Sequence, residues 1–198
     1  MIATYTAIVS ALVPCIGLLI GFYSSWLRTR ESALRREDVL EWSKDVIKDL
    51  QTLCLLCYLD EANLPPERRH IKLEQVIFST SVLVEQGRLL FKNRTDNDYG
   101  REKIGAYQGF RPRILDQIVM AHQIAVLWNG AGSDERLRMR LVAEDCLKHF
   151  VSLAQLEVGR GRTAVSGTNE PGRGKALDYH LQVLDGKRIE GARSRMQF

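Results

Sequence analysis

An uninterrupted apolar stretch opens the chain and gives way abruptly to mixed polar sequence. Residues 1–27 contain no Asp, Glu, Lys or Arg, and Arg28 and Arg30 end this segment, which we call the head. A bilayer core about 30 Å thick is crossed by about 20 apolar residues in a helix. The head is therefore predicted to form one transmembrane helix.

After the head, apolar positions recur every three or four residues, which is the period of a helix buried on one face. Breaks that contain Pro, Gly or Asn separate four such segments, at about 31–60, 66–90, 111–128 and 133–158. Because short connections favour antiparallel neighbours, residues 28–158 are predicted to form an antiparallel bundle of about four helices. The fold class is all-α, and the first helix is expected to run on from the head.

The second of these segments has an expected buried face. Its inward residues are predicted to be Ile71, Val76, Ile77, Leu83 and Leu90.

The last segment, residues 159–198, reads as a basic, Gly-rich, flexible tail. Alternating apolar residues at positions 177, 179, 181 and 183 precede Asp185-Gly186, a dipeptide typical of hairpin turns. The alternation predicts a small hairpin, and a short helix is the alternative.

The net charge of +4 belongs to this tail. Residues 159–198 hold eight Lys and Arg against four Asp and Glu, whereas residues 28–158 hold twenty of each sign. A neutral bundle gives no support for nucleic acid as a partner.

Basic residues on one side of the head predict its orientation. Arg28, Arg30, Arg35 and Arg36 follow the head closely, and positive flanks remain in the cytoplasm. We therefore expect a single-pass protein of the inner (plasma) membrane, with its N-terminus outside and its C-terminal domain in the cytoplasm. A cleaved signal peptide is the alternative, but no basic residue precedes the apolar run.

Small residues recur along one face of the head. Gly17, Gly21 and Ser25 are spaced by four, and such spacing lets two helices approach closely in lipid. This face is a candidate for self-association of the span, which would make the protein a homo-oligomer. The simpler interpretation is that glycine is frequent in membrane spans.

No catalytic, cofactor or metal motif stands out. Cys54-x-x-Cys57 is surrounded by leucines, and neither Cys146 nor any histidine has ligand spacing to it, so buried core thiols are favoured over zinc. We therefore expect no metal, no cofactor and no enzymatic activity.

The longest irregular stretch of the bundle, residues 92–113, interleaves basic and aromatic residues and is the remaining candidate site. It would bind an anion or a partner through Arg94, Tyr99, Arg101, Lys103, Tyr107, Arg111 and Arg113. Guanidinium groups suit phosphate, and aromatic rings could stack on a base. The alternative is that these cations pair with neighbouring carboxylates and fix the loop to the bundle.

Three functions remain open from these observations. The first is a non-enzymatic bacterial membrane effector, of a phage-defence or toxin-like kind, whose cytosolic bundle binds a partner while its span self-associates. The second is a membrane-tethered scaffold that recruits a soluble protein partner to the lipid bilayer. The third is a nucleotide- or anion-binding domain that uses the loop 92–113.

Overall fold

The computed structural model describes residues 2–59, 63–95, 98–160 and 176–194. Within the first helix, side chains are described at positions 22, 23, 25 and 26 and from residue 34 onward. The described part of the chain is mostly helical and contains six α-helices and no strand.

The helices follow one another with short connections, apart from one long loop. They are α1 (Ile2–Tyr58), α2 (Pro66–Leu90), α3 (Arg113–Leu127), α4 (Ser133–Arg160), α5 (Leu177–Gln182) and α6 (Gly186–Ser194). The predicted helical bundle is confirmed in this coarse form.

Helices α1 to α4 form an up-down-up-down bundle. At one end Arg35 of α1 pairs with Glu157 of α4 (3.2 Å), and at the other the Arg140 guanidinium lies 4.7 Å from the ring centroid of Tyr58. These two contacts show that α1 and α4 are antiparallel. We call the end that holds Arg35 and Glu157 the head-proximal end, because α1 leaves the bundle there toward the head.

The core is centred on Trp42 of α1. Its ring centroid lies 5.6 Å from that of Phe91 and 5.5 Å from that of Phe150, and its indole N–H donates to the carbonyl of Leu83 (3.0 Å). A Cβ added at Gly87 would collide with Leu115 and with the Trp42 ring. Glycine at position 87 therefore allows α2 to approach α1 and α3 closely.

Two local signals explain where α2 begins and how it is held. Pro66 occupies the first turn, where a missing backbone N–H costs no helical hydrogen bond. The buried side chain of Arg69 donates to the carbonyl of Leu59 (2.6 Å), which ties α2 to the end of α1.

The hairpin predicted in the tail is wrong. Residues 177–182 and 186–194 are the helices α5 and α6, and their side chains pack on α3 and α4. Leu177 and Leu181 are buried whereas Tyr179 and Val183 are exposed, so the inward residues are four apart and not two. A helix buries such a pair on one face, and the alternation was coincidental.

Among the residues that the structure describes, no helix has a stretch long and apolar enough to cross a membrane. The side chains of residues 2–21, which supply most of the apolar head, lie outside the described residues. The backbone of α1 continues from Ile2 through the head to Tyr58, as expected for a first helix that runs on from it.

Candidate functional site

The described parts of the loop between α2 and α3, residues 92–95 and 98–112, are joined to one another by hydrogen bonds. Arg94 and Phe110 exchange backbone hydrogen bonds of 2.9 and 2.8 Å, and the Asn93 side-chain amide donates to the carbonyls of Ala106 and Gln108. Gly109 has φ of +75°, and a Cβ there would run into the carbonyl of Arg94. The two ends of the loop are therefore held together at the head-proximal end.

Other residues of the chain contact the aromatic rings of the loop. The rings of Tyr99 and Phe110 stack with centroids 4.4 Å apart, and the Lys103 ammonium lies 5.3 Å from the Tyr99 ring. The Phe110 ring therefore covers one face of the Tyr99 ring.

Tyr107 contacts α2. Its hydroxyl donates to a carboxylate oxygen of Glu85 (2.7 Å), and the Arg88 guanidinium lies 4.4 Å from its ring centroid. The hydrogen bond to Glu85 raises the pKa of the Tyr107 phenol. Tyr107 therefore fixes the loop to the side of α2.

The seven residues of the predicted anion site make different contacts within the chain. Arg101 pairs with Asp98 (3.0 Å), and Arg111 pairs with Asp116 at the start of α3 (2.7 Å). Arg94 forms the bridge that closes the loop, and Arg113 begins α3. Two of these cations, Arg101 and Arg111, are thus held by neighbouring carboxylates, as in the alternative interpretation.

Arg111 and Arg113 also line a cleft of about 640 Å³ between the bundle and the tail helices. The cleft lies between α3, α4, α5 and α6, and its size is in the range of small-molecule pockets. Other polar residues along its wall are Asp116, Gln117, Gln123, Asp145, His149, Tyr179, His180, Asp185 and Arg188.

Charges in the cleft wall are compensated within the wall itself. Arg188 of α6 makes two hydrogen bonds of 2.9 Å to the carboxylate of Asp145, which raises the pKa of Arg188. Because Arg111 is likewise paired with Asp116, the cleft offers a balanced surface and no concentrated positive field. These ion pairs connect the tail and the loop to α3 and α4.

Cysteines of the bundle are poorly suited to nucleophilic chemistry. Burial raises the pKa of Cys54 to about 11, and it raises the pKa values of Cys57 and Cys146 further. The thiolate is the reactive form, so these side chains resemble structural core thiols. Within the described ranges, no group of three His, Cys, Asp or Glu side chains could hold a metal ion.

The outward face of α2 carries a line of exposed apolar residues. Ile71, Phe78 and Val82 are exposed, and we call these three residues the α2 stripe. Phe78 alone leaves 74% of its surface uncovered. Ile71 was predicted to point inward, and this was wrong because α2 has apolar residues on two opposite sides.

The spacing of these residues along α2 explains why they form one line. Positions 71, 75, 78 and 82 alternate steps of four and three residues, the pattern of a helix that packs against another helix. Gln75 is the polar member of this series. The inward residues Leu73, Val76 and Leu83 have their own similar spacing, so apolar periodicity alone could not separate the two faces.

The predicted self-association face of the head lies on α1, where Ser25 is exposed and the surroundings of Gly17 and Gly21 lie outside the described residues.

Searches of family models, characterised proteins and solved structures find no significant match to this chain.

Proposed function

We propose that the chain is a non-enzymatic, single-pass membrane scaffold. The head holds it in the inner membrane, and the cytoplasmic bundle binds a helical segment of a soluble partner protein on the α2 stripe. The exposure of Ile71, Phe78 and Val82 along one line of α2 carries this proposal. Contiguous exposed apolar residues on a folded domain are typical of sites of protein interaction.

The chemistry of the stripe favours a helical partner. Its alternating spacing of four and three residues suits knobs-into-holes packing with one facing helix. Gln75 within the series would require a polar group on the partner, since a buried amide without a hydrogen bond is costly. An amphipathic helix with one polar position among its apolar contacts meets both requirements.

Anchoring by the head is supported by its composition and by the continuity of α1. An uncharged run of 27 residues can cross a bilayer with some tilt. Tyr23 and Trp26 are exposed, with ring centroids 6.2 Å apart, near the end of this run, where aromatic residues favour the membrane interface. One helix then carries the chain from the head into the bundle core.

Site-specific photo-crosslinking in cells tests the scaffold. A photoreactive residue in place of Phe78 or Val82 should capture one partner protein, whereas the same residue at exposed Lys148 on α4 should not. Burial of an apolar side chain contributes about 1.5–3 kcal/mol, so Ile71→Asp should reduce this crosslink at least about tenfold. Equal capture at positions 78 and 148, or capture of a second copy of this chain alone, would contradict the proposal.

A membrane effector is the second candidate, and the small-residue face of the head favours it. Gly17, Gly21 and Ser25 are spaced by four residues, and small residues at this spacing let two helices approach closely in lipid.

A membrane-potential dye distinguishes this candidate from the scaffold. If the protein is an effector, expression of the wild type should depolarise cells. Leu18→Ile, which changes another face of the helix, should depolarise them as well, whereas Gly17→Ile should not. An unchanged potential in all three cases would remove the effector function and leave the scaffold in place.

A further inference from the structure

The head-proximal end of the bundle carries the two most exposed of the large apolar side chains that the structure describes. Leu89 in the last turn of α2 has 87% of its surface uncovered, and Ile104 in the following loop has 85%. Both side chains belong to the end of the bundle where Arg35 and Glu157 pair and from which α1 continues toward the head. Leu89 and Ile104 are therefore open to water, unlike the apolar residues of the core.

Basic residues lie close in sequence to these two side chains. The segment 92–113 contains six Lys and Arg against three Asp and Glu, although the bundle as a whole is neutral. Lys92 and Lys103 are exposed, and no carboxylate of the described residues pairs with either of them. The ion pair of Arg101 with Asp98 is exposed on both sides and therefore weak.

The length of α1 between head and bundle brings this end close to the bilayer. Arg35 follows Trp26 by nine positions, which is about 13 Å at 1.5 Å per residue. The headgroup layer on each side of a bilayer is about 5–8 Å thick, and a spanning helix is tilted by about 20° on average. A loop that leaves the bundle at the level of Arg35 is therefore within reach of the headgroups once the head is inserted.

We propose that the head-proximal end of the bundle docks on the anionic surface of the bilayer that holds the head. Ile104 and Leu89 enter the boundary between headgroups and acyl chains, and Lys92 and Lys103 contact lipid phosphates. The proposal rests on the anchoring proposed above. The tether makes docking an intramolecular event, so a small patch is sufficient.

Docking would fix the orientation of the scaffold. With the head-proximal end on the membrane, α2 stands away from the bilayer and the α2 stripe faces sideways into the cytosol. Without docking, α1 alone would connect the bundle to the membrane and set the height and direction of the stripe. The lipid surface thus determines how a partner is presented.

A spin label attached through Ile104→Cys in the full chain tests the docking directly. The chain is reconstituted into phosphatidylcholine vesicles with and without phosphatidylglycerol, and the label's accessibility to a neutral aqueous nickel chelate and to oxygen is measured. Glu67→Cys, exposed at the opposite end of the bundle, is the matched control. The bundle cysteines are mostly buried and hold their protons, and the labelled parent chain measures any background.

With phosphatidylglycerol present, the label at position 104 is expected to be shielded from the chelate and accessible to oxygen, whereas the label at position 67 stays open to water. Each basic residue near an anionic surface contributes about fivefold to binding, so Lys92→Gln and Lys103→Gln should each lower the ratio of docked to undocked protein about fivefold. Removing phosphatidylglycerol or adding salt should lower it as well.

Three results would overturn the docking. Chains that float with the vesicles while labels at 104 and 67 are equally open to water would refute it and leave the anchored head intact. Shielding at 104 that persists without lipid would show a protein contact instead. Chains that do not float with vesicles would refute the anchoring itself, so the two failures are distinguishable.

Discussion

Replacing Val13 and Ile16 together with arginine is expected to move most of the protein from the membrane fraction to the soluble or aggregated fraction. Both positions lie near the middle of the uncharged run of residues 1–27. An arginine at the centre of a spanning helix costs about 2.5–3.5 kcal/mol on insertion scales. Two of them oppose insertion by about 5–7 kcal/mol, which is several orders of magnitude in partition.

The matched control places the same two charges at the edge of the head. Ser24→Arg with Ser25→Arg adds arginines whose side chains can reach the headgroups, so the membrane fraction should stay close to wild type. Quantitative immunoblotting of both fractions from cells measures the difference. A chain with arginines at positions 13 and 16 that remains as membrane-bound as wild type would show that the head does not lie in lipid.

Trp42→Ala is expected to destabilise the bundle by about 3–5 kcal/mol. Trp42 is buried between Phe91 and Phe150, and its truncation leaves a cavity where α1, α2 and α4 meet. The hydrogen bond from its indole N–H to the carbonyl of Leu83 is lost as well. Urea unfolding of the full chain in detergent micelles, followed by far-ultraviolet circular dichroism, measures the change in the free energy of unfolding.

Phe78→Ala is the control for this experiment, because it removes an aromatic ring from a largely exposed position on α2. Its effect on the free energy of unfolding should stay within about 0.5 kcal/mol, as for other surface substitutions. Equal destabilisation by the two substitutions would mean that the stripe is covered within the folded chain. That result would also remove the proposed partner surface.

The sequence predicted the long helices well because each has a long apolar period and a clear break. Positions 39, 42, 46, 50 and 53 of α1 step by three or four and are all buried. Pro65-Pro66 and the Gly-rich turn before Ser133 mark helix boundaries that the structure places within a few residues of the prediction. At these positions the local sequence preference and the packing of the folded chain favour the same structure, so the helices could be predicted.

The tail and the outward face of α2 could not be predicted in the same way. Six residues of α5 are too few to separate a period of two from a period of four, and contact with α3 decides in favour of the helix. Ile71 has the same local pattern as buried Val76, and only the positions of α1 and α3 determine which of them is covered.

The loop 92–113 shows another limit of prediction from the sequence. Basic and aromatic residues at 92–113 are close in the chain, which left a shared site and pairing with neighbouring carboxylates as alternatives. In the fold, Tyr107 bonds to Glu85 on α2 and Arg111 pairs with Asp116 on α3. Phe110 holds Arg94 and Tyr99 beside each other. Which charge finds which partner depends on helices distant in sequence, so composition could show that the loop is basic but not how its cations are arranged.

Alkaline carbonate extraction followed by flotation of the wild-type full-length chain tests the central claim most directly. If residues 1–27 lie in the bilayer, the protein stays in the carbonate-washed membranes and floats with them in a density gradient. A protein that carbonate releases, or that remains folded in solution without lipid or detergent, would contradict the anchored scaffold and the lipid docking together.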